Sequence, residues 1–174
     1  PGTPMSAADA PLGIVALVAH ARHVRSAERE QFAAEAAAIA ADPRVIVLHT
    51  CHRVELYAAP DGGDPDDAPV ALPALPEGGR RLDGHAAARH LFTVAAGLDS
   101  VVVGEDQILH QLRDSLADRQ LAGGSHPVPI LDRLFQIALH VGRQARAWGE
   151  GPPRSLADVA LERIEQQGGS LVAR

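Results

Sequence analysis

Cys51 is the only cysteine among 174 residues, and it sits in the stretch "VIVLHTCHRVELY", Val45 to Tyr57. His49 and Thr50 precede it, and His52 and Arg53 follow. A thiolate attacks activated acyl groups, and nearby cations raise its availability. Imidazole takes or gives a proton near neutral pH, and a guanidinium holds a carboxylate through two parallel hydrogen bonds. If the preceding strand runs as far as residue 51, His49 and Cys51 share one face. Together these groups suit acyl chemistry on a carboxylate- or phosphate-bearing substrate. Two other arrangements stay open on these residues alone. A single cysteine after an apolar strand is often a small buried hydrophobe. His20, His23, His49, Cys51 and His52 could also converge on zinc, although no CxxC or HExxH spacing is present.

Composition narrows the chemistry. Every basic residue is arginine and none is lysine, which excludes Schiff-base catalysis and the P-loop. The formal charge of -6 argues against a broad non-specific nucleic-acid surface but leaves room for a local arginine-lined groove. Arg113, Arg119, Arg133, Arg143 and Arg146 are candidates for such a stripe, or for an ordinary solvated helix face. A single cysteine cannot form an intrachain disulfide, so the expected location is the reducing cytoplasm. No apolar run approaches the ~18 residues of a membrane span. Residues 1–11 read as a disordered, tag-like segment.

The elements that must position Cys51 follow from periodicity and punctuation. Leu12 to Ala19 reads as a buried strand, "SAEREQFAAEAAAIAADP" as a helix with Ser26 as its N-cap, "RVIVLH" as a second strand and "RVELYAAP" as a third. Residues 60–79, rich in Pro, Gly and Asp, read as a long exposed loop. From Asp83 onward the pattern is helical, with one helix stopped by Gly97. A second starts at Glu105 and Asp106, a third spans "VPILDRLFQIALHVGRQARAWGEG", and a fourth is capped by Ser155. The expected class is α+β: a small βαββ-type sheet with packed helices, followed by a helical half.

Three segments carry a resemblance. "TCHRVELY" resembles the S-T-C-N-R-x-E-x-Y signature of glutamyl-tRNA reductase. "HLFTVAAGLDSVVVGEDQIL" is similar to that family's H-L-F-x-V-A-x-G-L-D-S-x-V-x-G-E-x-Q-I-L, and "LDRLFQIALHVGRQAR" to its L-F-x-x-A-x-x-V-G-K-R-x-R. The likeness runs from about Leu12 to about Leu171.

The resemblance implies a catalytic domain over residues 12–152, with 153–174 opening a helical linker toward an absent NADPH domain. It implies that Cys51 takes the acyl group of glutamyl-tRNA as a thioester, which NADPH reduces to glutamate-1-semialdehyde for tetrapyrrole biosynthesis. By position, Arg53 falls on the arginine that holds the substrate carboxylate. His90 falls on the histidine that donates a proton or orients the site, and Thr50, Ser100, Gln107 and His20 fall on substrate-pocket positions. His49 and His52 stand where the family has a small residue and Asn, and Ala21 and Arg22 where it has Lys and Thr, which changes pocket volume and charge. "RAWGEG", Arg146 to Gly151, also departs from the family. No G-x-G-x-x-G occurs, so no NADPH site and no bound cofactor are expected in this chain. The expected partners are an aminoacyl-tRNA and an NADPH-bearing domain or downstream enzyme. Two other readings remain: an acyl transferase or hydrolase that works without reduction, and a non-catalytic module binding tRNA, haem or a metal.

Overall fold

A computed structural model of the chain describes residues 12–59, 70–99, 107–122 and 128–147. Its elements are β1 (Val15–His20), α1 (Ser26–Ala38), β2 (Val45–His49), β3 (Arg53–Ala58), β4 (Arg80–Asp83), α2 (His85–Ala95), α3 (Gln107–Ala122) and α4 (Pro129–Ala147). The strands form one antiparallel sheet in the order β2-β3-β1-β4. The α+β class holds, with one strand more than expected. β4, "RRLD", carries three charged residues and lies exposed at the sheet edge. Backbone pairing with β1, Val15 opposite Asp83 through Val18 opposite Arg80, defines it.

The two central strands, β1 and β3, are buried along their whole length, so the sheet is covered on both sides. On one side Val15, Leu17, Ala19, Val54 and Leu56 meet Phe32 and Ala36 of α1. Val70, Leu72 and Leu75 pack half-buried against the same cluster, so residues 70–79 form a strap over the sheet instead of the exposed loop expected there. On the other side Ile14, Ala16, Val18, Ile46, Leu48 and Tyr57 meet the helical half through Leu91, Leu112, Leu131 and Phe135. Tyr57 and Phe135 stack edge to face, their centroids 5.4 Å apart, a pairing worth about 1 kcal/mol beyond its burial. Among the described residues no helix is long and apolar enough to cross a membrane.

The end of α2 is fixed by backbone geometry. Gly97 takes φ +75°, a conformation that L side chains resist. Its N–H donates to the Val94 carbonyl, and the Leu98 N–H donates to the Thr93 carbonyl, which completes a Schellman stop. The stop expected at Gly97 is therefore present, and it turns Asp99 back toward the sheet. α4 crosses here. A Cβ at Gly142 would lie 2.5 Å from the Ala95 carbonyl oxygen and 2.5 Å from Leu109 Cδ2. One turn on, Arg146 Nη1 donates to the carbonyls of Ala95 and Gly142, each at 2.8 Å. α1, by contrast, lacks its expected cap. Arg25 occupies the N-cap without a side-chain capping bond, its guanidinium pairing instead with Glu28, and Ser26, inside the helix, donates its hydroxyl to Glu30 Oε1 at 3.0 Å.

Candidate active site

Cys51 lies exposed in the tight connection between β2 and β3. β2 stops at His49, so the strand does not carry His49 and Cys51 onto a common face. The turn is closed by the Thr50 N–H donating to the Arg53 carbonyl at 2.9 Å. The Thr50 hydroxyl also accepts from the backbone N–H groups of His52, 3.2 Å, and Arg53, 3.1 Å. A threonine oxygen that satisfies two consecutive amides fixes a turn as a helix cap does. Two outside contacts anchor the turn. The Ala21 N–H donates to the His52 carbonyl at 2.8 Å, and Arg29 of α1 reaches the Cys51 carbonyl at 3.5 Å. His49 is exposed and His52 half-buried.

Immediately after the turn, β3 places Arg53, Glu55 and Tyr57 on one face, since strand side chains alternate. Glu55 has no exposed surface and holds three partners: Arg53 Nη1 at 3.1 Å, Tyr57 Oη at 2.6 Å and His90 Nε2 at 2.9 Å. Burial alone would raise the carboxyl pKa of Glu55. The His90 hydrogen bond, the charges of His90 and Arg53 and the Tyr57 hydroxyl outweigh it, so the net shift is downward. Tyr57 moves the other way, because burial and then the Glu55 charge push its hydroxyl well above the ordinary value. Arg53 itself is buried. Its second nitrogen donates to the Asp99 carbonyl, and Nη1 lies 3.2 Å from Asp99 Oδ2. Asp99 also pairs with Arg22 Nη1 at 3.3 Å.

His20 stands directly opposite Arg53 across β1 and β3. Its Nδ1 accepts the Arg22 backbone N–H at 3.0 Å, while its buried Nε2 has no partner among the described residues. Burial, and next the Arg53 charge, bring its pKa from the usual 6.5 to about 4.

The structure thus brings Arg53, His90 and His20 to one side of the sheet and places Thr50 in the turn beneath Cys51. Gln107 is exposed at the start of α3, and Ser100 and Glu105 lie outside the described residues. Among the described residues no three His, Cys, Asp or Glu side chains converge to hold a metal ion, so the histidines do not meet Cys51 as a zinc set. Glu55, Tyr57 and Asp99 were not among the expected site residues. The readable signal for two of them was polarity at alternate positions, R-x-E-x-Y, within an otherwise apolar strand.

A family model described as "Glutamyl-tRNAGlu reductase, N-terminal domain" matches residues 6–148. The chain belongs to this family. Among curated relatives, glutamyl-tRNA reductase of Kineococcus radiotolerans is 41% identical over 155 residues, covering 79% of this chain and 34% of that protein. A glutamyl-tRNA reductase of Thermus thermophilus is 41% identical over 114 residues, 64% of this chain and 28% of that one. The solved glutamyl-tRNA reductase of Methanopyrus kandleri superposes with a TM-score of 0.63 at 25% identity, covering 89% of this chain and 40% of that chain. The chain therefore spans about a third of the curated relatives it matches.

Within this glutamyl-tRNA reductase domain, two of the five arginines proposed as a basic stripe are structural. Arg119 is buried, pairs with Asp132 Oδ2 at 3.0 Å and donates to the Val128 carbonyl at 3.2 Å. Arg146 holds the end of α2. Arg113, Arg133 and Arg143 remain exposed.

Proposed function

We propose that this domain accepts the glutamyl group of glutamyl-tRNA on Cys51. In the step we envisage, sulfur attacks the ester carbonyl, the C–S bond forms, and the bond to the ribose oxygen breaks. The thiol proton leaves through a flanking imidazole, His49 or His52, and a proton ends on the ribose hydroxyl. An aminoacyl ester is already activated, so modest help suffices. Arg53 holds the substrate carboxylate, Thr50 shapes the turn, and His90 keeps Glu55 and thereby Arg53 in place. Ser100 and Gln107 complete the pocket, and the exposed arginines Arg113, Arg133 and Arg143 offer phosphate contacts to the tRNA.

In the family, NADPH then supplies a hydride to release glutamate-1-semialdehyde, the aldehyde that feeds tetrapyrrole biosynthesis. The step proposed for this domain is formation of the thioester, and the hydride transfer belongs to the family's whole enzyme, of which this chain spans about a third.

One observation carries the reading: an exposed thiol at the tip of a turn anchored by Thr50 and by Ala21 just after β1, two residues before a buried guanidinium. The test is incubation of the chain with glutamyl-tRNA carrying radiolabelled glutamate. The expected product is labelled protein that survives acid, is released by hydroxylamine and is absent in Cys51→Ala. Label only from another aminoacyl-tRNA would favour the transferase or hydrolase alternative. No label from any aminoacyl-tRNA would end the acyl-enzyme reading.

A further inference from the structure

We propose that the free edge of β2 is a pairing surface for a second copy of this chain. The two β2 strands run antiparallel about a two-fold axis at Val47 and join two four-stranded sheets edge to edge. The inference does not rest on the acyl-transfer reading above.

The sheet has two edges, and only one is defended. β4 is short, exposed and carries Arg80, Arg81 and Asp83, a charged edge of the kind that resists pairing. β2, at the other end of the strand order, reads Val-Ile-Val-Leu-His, with no proline, glycine or carboxylate in it. Its register fixes which backbone groups face outward. The Thr50 N–H and the Arg44 carbonyl bond to the strand and residue beside them, Arg53 and Ala59. By alternation Ile46 and Leu48 also turn their amides toward β3, and Val45, Val47 and His49 turn theirs away. The Val45 N–H is taken by the Asp42 carbonyl at 3.0 Å. The N–H groups of Val47 and His49, and the carbonyls of all three residues, have no partner among the described residues.

This pattern is its own complement. Pairing Val47 with Val47 of the copy makes two N–H···O bonds at the axis, and each His49 N–H then meets the Val45 carbonyl of the other chain. The Val45 N–H, held by Asp42, needs nothing. There is room for the added strand. A groove of about 380 Å3 lies open along β2 between α1 and α3, and α1 lines it with Ala33, Ala37, Ala40 and Ala41, which carry nothing beyond Cβ.

Charge selects the occupant. Val45 and Val47 point to the α1 side of the sheet, and His49 follows them by alternation. In the pairing, His49 of the copy stands opposite Val45, where Ala40 and Ala41 at the end of α1 line the same groove. That helix has no basic residue in its last turn, so its final carbonyls, the negative end of its dipole, await a donor, and an imidazole suits them. His49 is exposed in the single chain. An unrelated extended peptide could match the backbone, but β2 brings a base to that point by symmetry.

The test is sedimentation velocity of the full chain from about 5 to about 500 μM, with amide exchange of isotope-labelled protein followed by NMR over the same range. A monomer–dimer equilibrium is expected. As the dimer fills, exchange at Val47 and His49 should slow about tenfold or more, while Ile46 and Leu48, already bonded to β3, stay unchanged. Val47→Pro removes an outward donor where an edge strand tolerates proline and should leave a folded monomer. Ala37→Arg, at an exposed helix position, should also do so by filling the groove. His49→Glu sets a carboxylate against the end of α1 and should weaken the dimer about tenfold. A chain monomeric throughout overturns the proposal. So does a dimer that persists in Val47→Pro, that is unweakened in His49→Glu, or that leaves Val47 and His49 exchanging at the monomer rate. Protection of these two amides equally at every concentration means that another segment of the chain covers the edge, and it overturns the proposal too. If Val47→Pro fails to fold, Ala37→Arg decides in its place.

Discussion

The Nε2 atom of His90, on α2, lies 2.9 Å from Glu55 Oε1 in the middle of β3. This bond joins the helical half to the sheet at a carboxylate with no exposure to water, which also holds Arg53 and Tyr57. Removing one partner of a buried charged set leaves the others uncompensated and costs far more than the set contributes when intact.

Glu55→Gln should therefore destabilise the domain by about 3 kcal/mol, measured by urea denaturation at pH 7. The pH dependence follows from the downward shift of the Glu55 pKa. Its contribution is complete above the ordinary value of 4.5 and is lost as pH falls through the lower folded value. In the glutamine variant that part of the acid loss, below pH 4.5, should disappear. An unchanged acid limb would show that Glu55 is not ionised in the folded protein.

His20 acts in a higher window. It titrates at about 4 when folded against 6.5 ordinarily, so between those values the unfolded chain binds more protons. Stability should then be intact above pH 6.5 and fall as pH drops toward 4. His20→Gln, which keeps an acceptor for the Arg22 N–H, should flatten this slope in denaturation series from pH 7.5 to 4. A slope identical to wild type would place the imidazole in water.

Much of this arrangement was legible beforehand, and the remainder had physical reasons to be hidden. The runs forming β1, β2 and β3 are largely apolar because that part of the sheet is covered on both faces, and α2 and α4 each carry a clear apolar face. β4 escaped because an exposed edge strand held by backbone bonds, with Leu82 alone packing half-buried on the core, needs no alternating hydrophobic pattern. R-x-E-x-Y could have marked Glu55 as a charge inside a buried strand. Its meeting with His90, 35 residues on, is set by how α2 packs. Arg119 and Arg146 looked like solvated helix arginines, and the carbonyls that claim them, Val128 and Ala95, belong to tertiary structure. Asp99 is turned to Arg53 by the Gly97 stop, which was readable as a helix end but not as an aimed carboxylate.

Thr50→Val should separate turn geometry from folding. The hydroxyl accepts from two amides, and losing such a cap costs about 1 kcal/mol. Acyl labelling of Cys51 should drop by more than that cost explains, because the turn bearing the sulfur loosens, and Thr50→Ser should restore it. Equal labelling in the valine variant would show that the turn is held by its outside contacts alone.

Gly142→Ala sets two effects against each other. In an exposed helix interior alanine is favoured over glycine by about 1 kcal/mol. Here the new methyl carbon would meet the Ala95 carbonyl oxygen at 2.5 Å and Leu109 Cδ2 at the same distance. The leucine can rotate, but the carbonyl is backbone and also receives Arg146, so α4 must lift from α2. Overpacking of this kind costs about 1–3 kcal/mol, and the clash should win. The variant should melt several degrees lower, and the shifted end of α2 should weaken the hold of Asp99 on Arg53. A melting temperature equal to or above wild type would mean that α2 and α4 cross further apart than the Ala95–Gly142 approach requires.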